Sequence, residues 1–142
     1  MILPDVNVLV YAYRTDVADH DAYRAWLTEL VNHEAPFALS GLVLSGFLRI
    51  VTHPKVFRTP SRVEDALAFT AALRGAPGAV TVTPGSRHWG IFEELCRDAG
   101  VKGNLVPDAY LAALAIESGC ELCSTDRDFT RFPGLRWRHP LK

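Results

Sequence analysis

The chain opens with MILPDVNVLVYAY (residues 1–13), a stretch that is almost wholly apolar apart from Asp5 and Asn7. Residues 2–4 are typical of a short buried strand that ends at Pro4, because proline has no N–H to offer a sheet. A helix is expected to follow over 6–13. A carboxylate inside an apolar segment is costly unless it has a partner. Asp5 is therefore either a helix cap or a functional group, and the choice depends on whether other acids occupy matching positions.

Length and composition favour one domain over residues 1–142, since 142 residues with 49% hydrophobic and 22% charged side chains suit a single compact core. The formal net charge of −1 gives no overall basic field, which counts mildly against a nucleic-acid substrate but allows a local basic patch. No apolar run is long enough to cross a membrane, and no basic leader precedes the first strand, so we expect a cytoplasmic protein.

The three cysteines, Cys96, Cys120 and Cys123, are odd in number and irregularly spaced. They fit reduced thiols better than a disulfide framework. Residues 120–123 match the C-x-x-C pattern, but a zinc site would require a second pair or suitably placed histidines. We interpret Cys120 and Cys123 as buried apolar side chains.

Hydrophobic periodicity predicts short strands that alternate with helices. The predicted helices cover 6–13, 20–34, 41–53, about 61–74, 84 or 86 to 99, and 105–119; the predicted strands cover 2–4, 36–40, 80–83, 121–125 and 135–138. Asp19 and Ser61 are predicted N-caps, with Glu64 completing a capping box after Ser61. Trp89 is predicted to point inward, and residues 126–129 to form a tight turn. This alternation predicts an α/β sandwich around a mostly parallel sheet.

Ligands of such sheets bind beyond the carboxyl ends of the strands. Asp5 comes directly after the first strand, and Asp126 and Asp128 come directly after the fourth. Asp108 lies in the first turn of a helix behind Pro107, where a carboxylate is often only structural. However, Asp108 shares the apolar and inward face of that helix with residues 111, 112 and 115, which favours a functional role.

Three carboxylates that converge from separate segments repel one another and need a cation. Mg²⁺ or Mn²⁺ suits carboxylate and water ligands, so Asp5, Asp108 and Asp126 are candidate metal ligands. Asp128 is a possible fourth acid or the cap of the turn. Such a site holds a phosphate and activates water that attacks it in line.

The chain resembles the PIN-domain family, and most closely the VapC-like toxins of type II toxin–antitoxin systems. The resemblance rests on residues 4–7 (PDVN), 105–109 (LVPDA) and 124–129 (STDRDF), together with 43–54 and the tail 132–137. It implies a three-layer α/β/α sandwich, metal-dependent RNA cleavage and inhibition by a VapB-like antitoxin. By motif, the resemblance makes Asp5, Asp108 and Asp126 the metal-binding acids, and Asn7 the residue that orients Asp5 or a water molecule.

One position departs from the family pattern. Many PIN domains carry a glutamate on the third helix, three residues before an arginine, and here that position is Gly46, before Arg49. The site then has one carboxylate fewer, and a second metal ion is expected to bind weakly, if at all. The departure leaves open a catalytically weak or inactive PIN-like module that binds RNA or protein. A small-phosphate hydrolase is a third class.

Substrate contacts are expected from cations on both sides of the site. Arg14, Arg49 and Arg127 are candidates, and residues 55, 58, 62 and 131 add charge that would make RNA binding salt-sensitive. The five histidines show no metal-binding spacing, and no P-loop or G-x-S-x-G motif occurs. The small residues from Ser40 onward permit close packing of a neighbouring helix or of a second subunit, and together with what the family resemblance implies they make a homodimer the expectation.

Overall fold

A computed structural model describes all 142 residues. The elements in chain order are β1 (Ile2–Pro4), α1 (Val6–Tyr13), α2 (His20–Asn32), β2 (Phe37–Leu39), α3 (Gly41–Val51), α4 (Val63–Arg74), β3 (Ala79–Thr81), α5 (His88–Asp98), α6 (Leu105–Glu117), β4 (Glu121–Cys123), a 3₁₀ turn (Arg127–Arg131) and β5 (Trp137–Arg138). None of the six α-helices has the length and apolar content needed to cross a membrane.

All paired strands are parallel, which confirms the predicted α/β fold. β4 lies between β1 and β5, and β2 pairs with β3. β1 also packs beside β2, so the strands follow the spatial order β3-β2-β1-β4-β5. Helix α1 packs against α2 and α3, and α5 packs against α6. The carboxyl ends of β1, β4 and β5 therefore face the same edge of the molecule.

Pro4 explains why hydrogen bonding is interrupted between β1 and β2. The N–H of Asp5 donates to the carbonyl of Cys123 at 2.9 Å, so the odd-numbered residues of this segment direct their N–H groups toward β4. Position 4 therefore faces β2, where proline offers no donor. The two sheets meet at this line through side-chain packing.

The core lies on both sides of the strands and contains side chains from nearly every element. Leu3, Phe37, Phe47, Leu122 and Phe129 are at most 1% exposed. The alanine-rich face of α6 lets this helix approach the sheet closely, because its alanines at 109, 112, 113 and 115 are completely buried. This packing brings the first turn of α6 to the edge formed by the strand ends.

The structure differs from the sequence prediction at several helix starts. Asp19 precedes α2 but has a left-handed backbone (φ 61°), and its side chain makes no capping hydrogen bond. Ser61 is not an N-cap, because α4 begins at Val63 and the Ser61 hydroxyl accepts a hydrogen bond from Arg14 instead. Trp89 was predicted to point inward but is 61% exposed, because the buried face of α5 runs through the neighbouring His88 and through Leu95.

Candidate active site

Asp5 joins the end of β1 to the start of α1 and is only 8% exposed. One carboxylate oxygen accepts the N–H of Val6 at 2.7 Å, which makes Asp5 the N-cap of α1. The other oxygen accepts the hydroxyl of Ser124 at 2.7 Å. The predicted capping role of Asp5 is confirmed, and Asp5 also belongs to a polar cluster at the strand ends, while its functional role stays a prediction.

Ser124 is the centre of this cluster and was missed by the sequence analysis. It is completely buried, and its hydroxyl accepts the side-chain amide of Asn7 at 3.3 Å and the N–H of Asp126 at 3.1 Å, while donating to Asp5. The feature of the sequence that could have indicated this role is the position of Ser124, a small polar residue between a buried strand and Asp126. Ser124 thus fixes the positions of two candidate metal ligands.

Asn7 connects the chain segments that follow β1 and β4. Its Nδ2 donates to Ser124 and lies 3.4 Å from Oδ2 of Asp5, and its Oδ1 accepts the N–H of Thr125 at 3.3 Å. These contacts of Asn7 fix the position of the Asp5 carboxylate relative to the backbone that precedes Asp126.

Asp108 approaches from α6, in the first turn of that helix. It faces the same cleft as Asp5 and Asp126, as its place on the inward face of the helix predicted. The pKa of Asp108 is raised to about 6, mainly by burial and in addition by the neighbouring charges of Asp126, Asp5 and Asp128, while Arg131 opposes them. A carboxyl group with this pKa lies in an anionic environment that nearby cations do not neutralise.

The electrostatics of Asp5 are consistent with such an environment. Burial raises its pKa above the ordinary range, the hydrogen bonds from Ser124 and Val6 lower it, and the charge of Asp126 raises it again. None of Asp5, Asp108 and Asp126 takes part in any of the five ion pairs of the structure.

The three aspartates line one cleft of about 740 Å³. Its opposite wall is formed by α3 and the loop after it, and this wall is largely apolar. The lining side chains of that wall are Leu42, Val43, Ser45, Gly46, Arg49, Ile50, Val56 and Phe57. The cleft therefore has an anionic side and an apolar side with one cation.

The donor set fits a hard divalent cation, because it offers carboxylate oxygens and no thiolate or imidazole. As the side chains lie, no three acidic, histidine or cysteine residues are close enough to hold one ion between them directly. Mg²⁺ normally keeps several water ligands, so an ion in this cleft does not require direct contact with all three aspartates.

Arg14, a candidate substrate contact, is engaged within the protein. Its guanidinium donates to Asp16 and to the hydroxyl of Ser61 at 2.9 Å, and it lies 4.0 Å from the centre of the Phe57 ring. The side chain is only 10% exposed. Arg14 therefore attaches the loop after α3 to the end of α1 and holds Phe57 in the cleft wall.

The other predicted cations and acids have separate positions. Arg49 lines the cleft, whereas Arg127 lies in a neighbouring pocket. Asp128 donates its backbone N–H to Asp126 at 2.9 Å, so Asp126 is the cap of the 3₁₀ turn. The Asp128 carboxylate pairs with Arg131 at 3.6 Å and does not line the cleft.

Gly46 faces α1 at close range. A Cβ atom at this position would lie 2.9 Å from Cγ2 of Val6, the residue whose N–H binds Asp5. A larger side chain, including the glutamate of the family pattern, would require Val6 to move. Gly46, which stands where the family pattern has the fourth acid, is therefore also a site of close packing between α3 and α1.

The family model for the PIN domain matches residues 2–135. The chain is 47% identical over 141 residues to Ribonuclease VapC43 of Mycobacterium tuberculosis, covering 99% of this chain and 96% of that protein. It is 41% identical over 140 residues to Ribonuclease VapC25 of the same organism, covering 99% of each chain. The chain therefore belongs to the PIN-domain family, within its group of VapC ribonucleases.

Solved structures show the same fold at low sequence identity. VapBC2 from Rickettsia felis, in a crystal structure with a DNA fragment from its promoter, superposes with a TM-score of 0.71 at 21% identity and covers 98% of both chains. This similarity confirms the three-layer α/β/α architecture.

Proposed function

We propose that this protein is a metal-dependent endoribonuclease, the toxin of a VapBC-type toxin–antitoxin pair, working as a single domain over residues 1–142. Membership of the VapC ribonucleases supports nuclease chemistry. The observation that carries the metal dependence is the convergence of Asp5, Asp108 and Asp126 on one cleft without any paired cation. Mg²⁺ or Mn²⁺ is the expected cofactor.

In this proposal the polar residues in and behind the cleft have distinct roles. Asp5, Asp108 and Asp126 hold the ion, and Asn7 and Ser124 orient Asp5 and the backbone before Asp126. A divalent ion supplies a water ligand of lowered pKa and offsets charge on the phosphate that is attacked. Arg49, on the opposite wall, is placed to contact the RNA backbone. The absence of an acid at position 46 favours one ion.

The proposed partners are RNA as substrate, a VapB-like antitoxin as inhibitor and a second copy of the chain, all in the cytoplasm. Relatives in VapBC complexes support the antitoxin. Support for the homodimer from small residues is reduced, because Ser40 caps α3 and Gly46 packs on Val6 of the same chain. Gly41 and Ser45 remain exposed.

Asp5→Asn tests the enzymatic assignment. The substitution keeps the size of the side chain but removes the charge, so we expect a folded protein with RNA cleavage reduced about 100-fold or more. The assay is cleavage of total RNA with Mn²⁺, Mg²⁺ or chelator. Asp21→Asn, an exposed acid in the first turn of α2, is the matched control and should cleave like the parent.

The same assay separates the alternative, a PIN-like module of weak or absent activity, which Gly46 favours. That module would bind RNA or protein and show no metal-dependent cleavage in the parent. If Asp5→Asn cleaves RNA as fast as the parent, the role proposed for this aspartate is wrong.

A further inference from the structure

A second pocket lies beside the carboxylate cleft, at the ends of β4 and β5. It has a volume of about 340 Å³ and is lined by Thr125, Arg127, Trp137, Arg138, His139 and Lys142. No acidic residue lines it. Of these cations only Arg127 could be selected from the sequence, because Arg138 and Lys142 reach this edge only through the pairing of β4 with β5.

Two of the cations are available for an anion. Arg127 and Lys142 take part in none of the ion pairs, whereas Arg138 pairs with Glu121 at 3.0 Å. Burial lowers the pKa of His139, and the charges of Lys142 and Arg127 lower it further. Both cations therefore act on this ring, and no acid opposes them. Nδ1 of His139 accepts the N–H of Leu141 at 3.1 Å, which leaves Nε2 of the neutral ring as a donor.

Trp137 adds an unsatisfied donor. Its indole N–H is the only buried side-chain polar atom of the protein without a hydrogen-bond partner. A buried N–H without an acceptor is unfavourable, and this N–H belongs to a side chain that lines the pocket. The pocket thus combines cations and a neutral donor beside an indole whose N–H has no partner, and such charged and neutral donors suit a phosphate group.

The position of the pocket indicates where the phosphate comes from. Thr125 lines it, while the N–H of Thr125 is held by Asn7 of the carboxylate cluster. Asp5, Asp126 and His139 each follow one of the three adjacent parallel strands, which lie about 4.8 Å apart. The pocket is therefore the next site along the same edge, at a distance of on the order of 10 Å from Asp5.

We propose that this pocket binds a phosphate of the RNA backbone outside the bond that is cleaved. The inference rests on the proposed function and adds the direction in which the RNA leaves the cleft, from β1 toward β5. An acidic side chain of a protein partner is the competing occupant, but the alignment of the pocket with the carboxylates along one sheet edge favours the substrate.

The first measurement uses inorganic phosphate and the indole N–H signals of the three tryptophans in a ¹H–¹⁵N NMR spectrum. Trp137→Phe assigns the signal. We expect a saturable shift of the Trp137 signal, with those of Trp26 and Trp89 unchanged. Arg127→Ala/Lys142→Ala should abolish the shift. An unsaturable shift, or equal shifts of all three signals, would overturn the inference.

The second measurement is the binding of a fluorescent oligoribonucleotide in chelator at several salt concentrations. Each phosphate contact of a single strand contributes about 0.7 to the slope of log affinity against log salt. Arg127→Ala/Lys142→Ala should lower the slope by about 0.7 to 1.4 and weaken binding about tenfold at low salt. Lys142→Ala changes an exposed side chain outside the core and should show part of the effect.

Arg74→Ala is the matched control, because Arg74 is an exposed cation without an ion pair that precedes β3 at the opposite edge. Its salt slope should equal that of the parent. If the double variant keeps the salt slope of the parent, the pocket is not an RNA site. Neither measurement needs cleavage, so a parent that binds but does not cleave would contradict the proposed function and leave this inference standing.

Discussion

At the scale of single residues, the site depends on how a buried carboxylate is kept in place. Asp5 is almost completely buried, and its carboxylate accepts short hydrogen bonds from Ser124 and Val6 and a longer one from Asn7. Asp108 has fewer stabilising contacts and a pKa of about 6. The two acids therefore respond differently to mutation and to pH.

Asp108 makes stability depend on pH. Its pKa is about 6 in the folded protein against an ordinary value of 3.8, so between these values the folded chain retains a proton that the unfolded chain has lost. The free energy of unfolding then falls as pH rises through this window. We expect Asp108→Asn, in chelator, to be more stable than the parent at pH 7.5 by on the order of 1 kcal/mol, a value reduced for solvent screening.

Urea denaturation at several pH values measures this difference. The advantage of Asp108→Asn should shrink as the pH falls from 6 toward 4, and it should be lost below 3.8, where the parent is protonated in both states. An advantage that stays constant over the range would show that the proton plays no part in it.

Ser124→Ala tests the centre of the polar cluster. The change removes the donor to Asp5 and the acceptor of the Asp126 N–H, so we expect a loss of about 1 to 3 kcal/mol in stability. The pKa of Asp5 should rise, because this hydrogen bond lowers it, and Mn²⁺ binding should therefore require a higher pH. Calorimetric titration with Mn²⁺ at two pH values is the measurement. Ser86→Ala, on the surface, should change neither property.

Candidate site residues could be selected from the sequence where their position relative to one strand or one helix was sufficient to indicate them. Asp5, Asp108 and Asp126 could be selected because each follows a strand or begins a helix with an apolar flank. Ser124 and Arg14 could not be assigned, because their roles depend on partners 119 and 47 positions away in the chain. Trp89 was wrongly predicted to be buried, because the apolar periodicity did not show that the face of α5 with His88 and Leu95 is the one that packs inward.

At the scale of elements, α1 and α3 approach each other so closely that Gly46 contacts Val6. Alanine favours a helix over glycine by about 1 kcal/mol. However, its Cβ would lie 2.9 Å from the stiff Val6 side chain, which carries the N–H that binds Asp5. We expect Gly46→Ala to lower the free energy of unfolding by about 1 to 2 kcal/mol despite its propensity.

Adding Val6→Ala should restore part of that loss, with a coupling energy of about 1 kcal/mol in a double-mutant cycle measured by denaturation. Gly41→Ala is the control within the same helix, since nothing lies within 4 Å of the added Cβ. If the two glycine variants are equally stable, the contact between the helices is not restrictive.

At the scale of the whole molecule, the shared edge of β1, β4 and β5 would make folding and the proposed metal binding interdependent. The three aspartates come from residues 5, 108 and 126, so the unfolded chain has no comparable site. A ligand that binds only the folded state stabilises it by about 2.7 kcal/mol at one hundred times its dissociation constant.

We therefore expect Mn²⁺ to raise the melting temperature of the parent in a concentration-dependent manner, and Asp126→Asn to lose most of this increase. Differential scanning calorimetry with and without chelator measures it, and Asp21→Asn should behave like the parent. An equal increase in Asp126→Asn would place the ion elsewhere.

Pro4 has a consequence for the way the molecule opens. Since no N–H is offered from this position to β2, the strands β2 and β3 can lose their mutual amide protection without breaking a bond to β1. Hydrogen–deuterium exchange should then divide the slowest amides into two sets with separate rates. The set that contains β1 and β4 carries Asp5 and the residues leading to Asp126, so the edge with the proposed site would persist while β2 and β3 fluctuate.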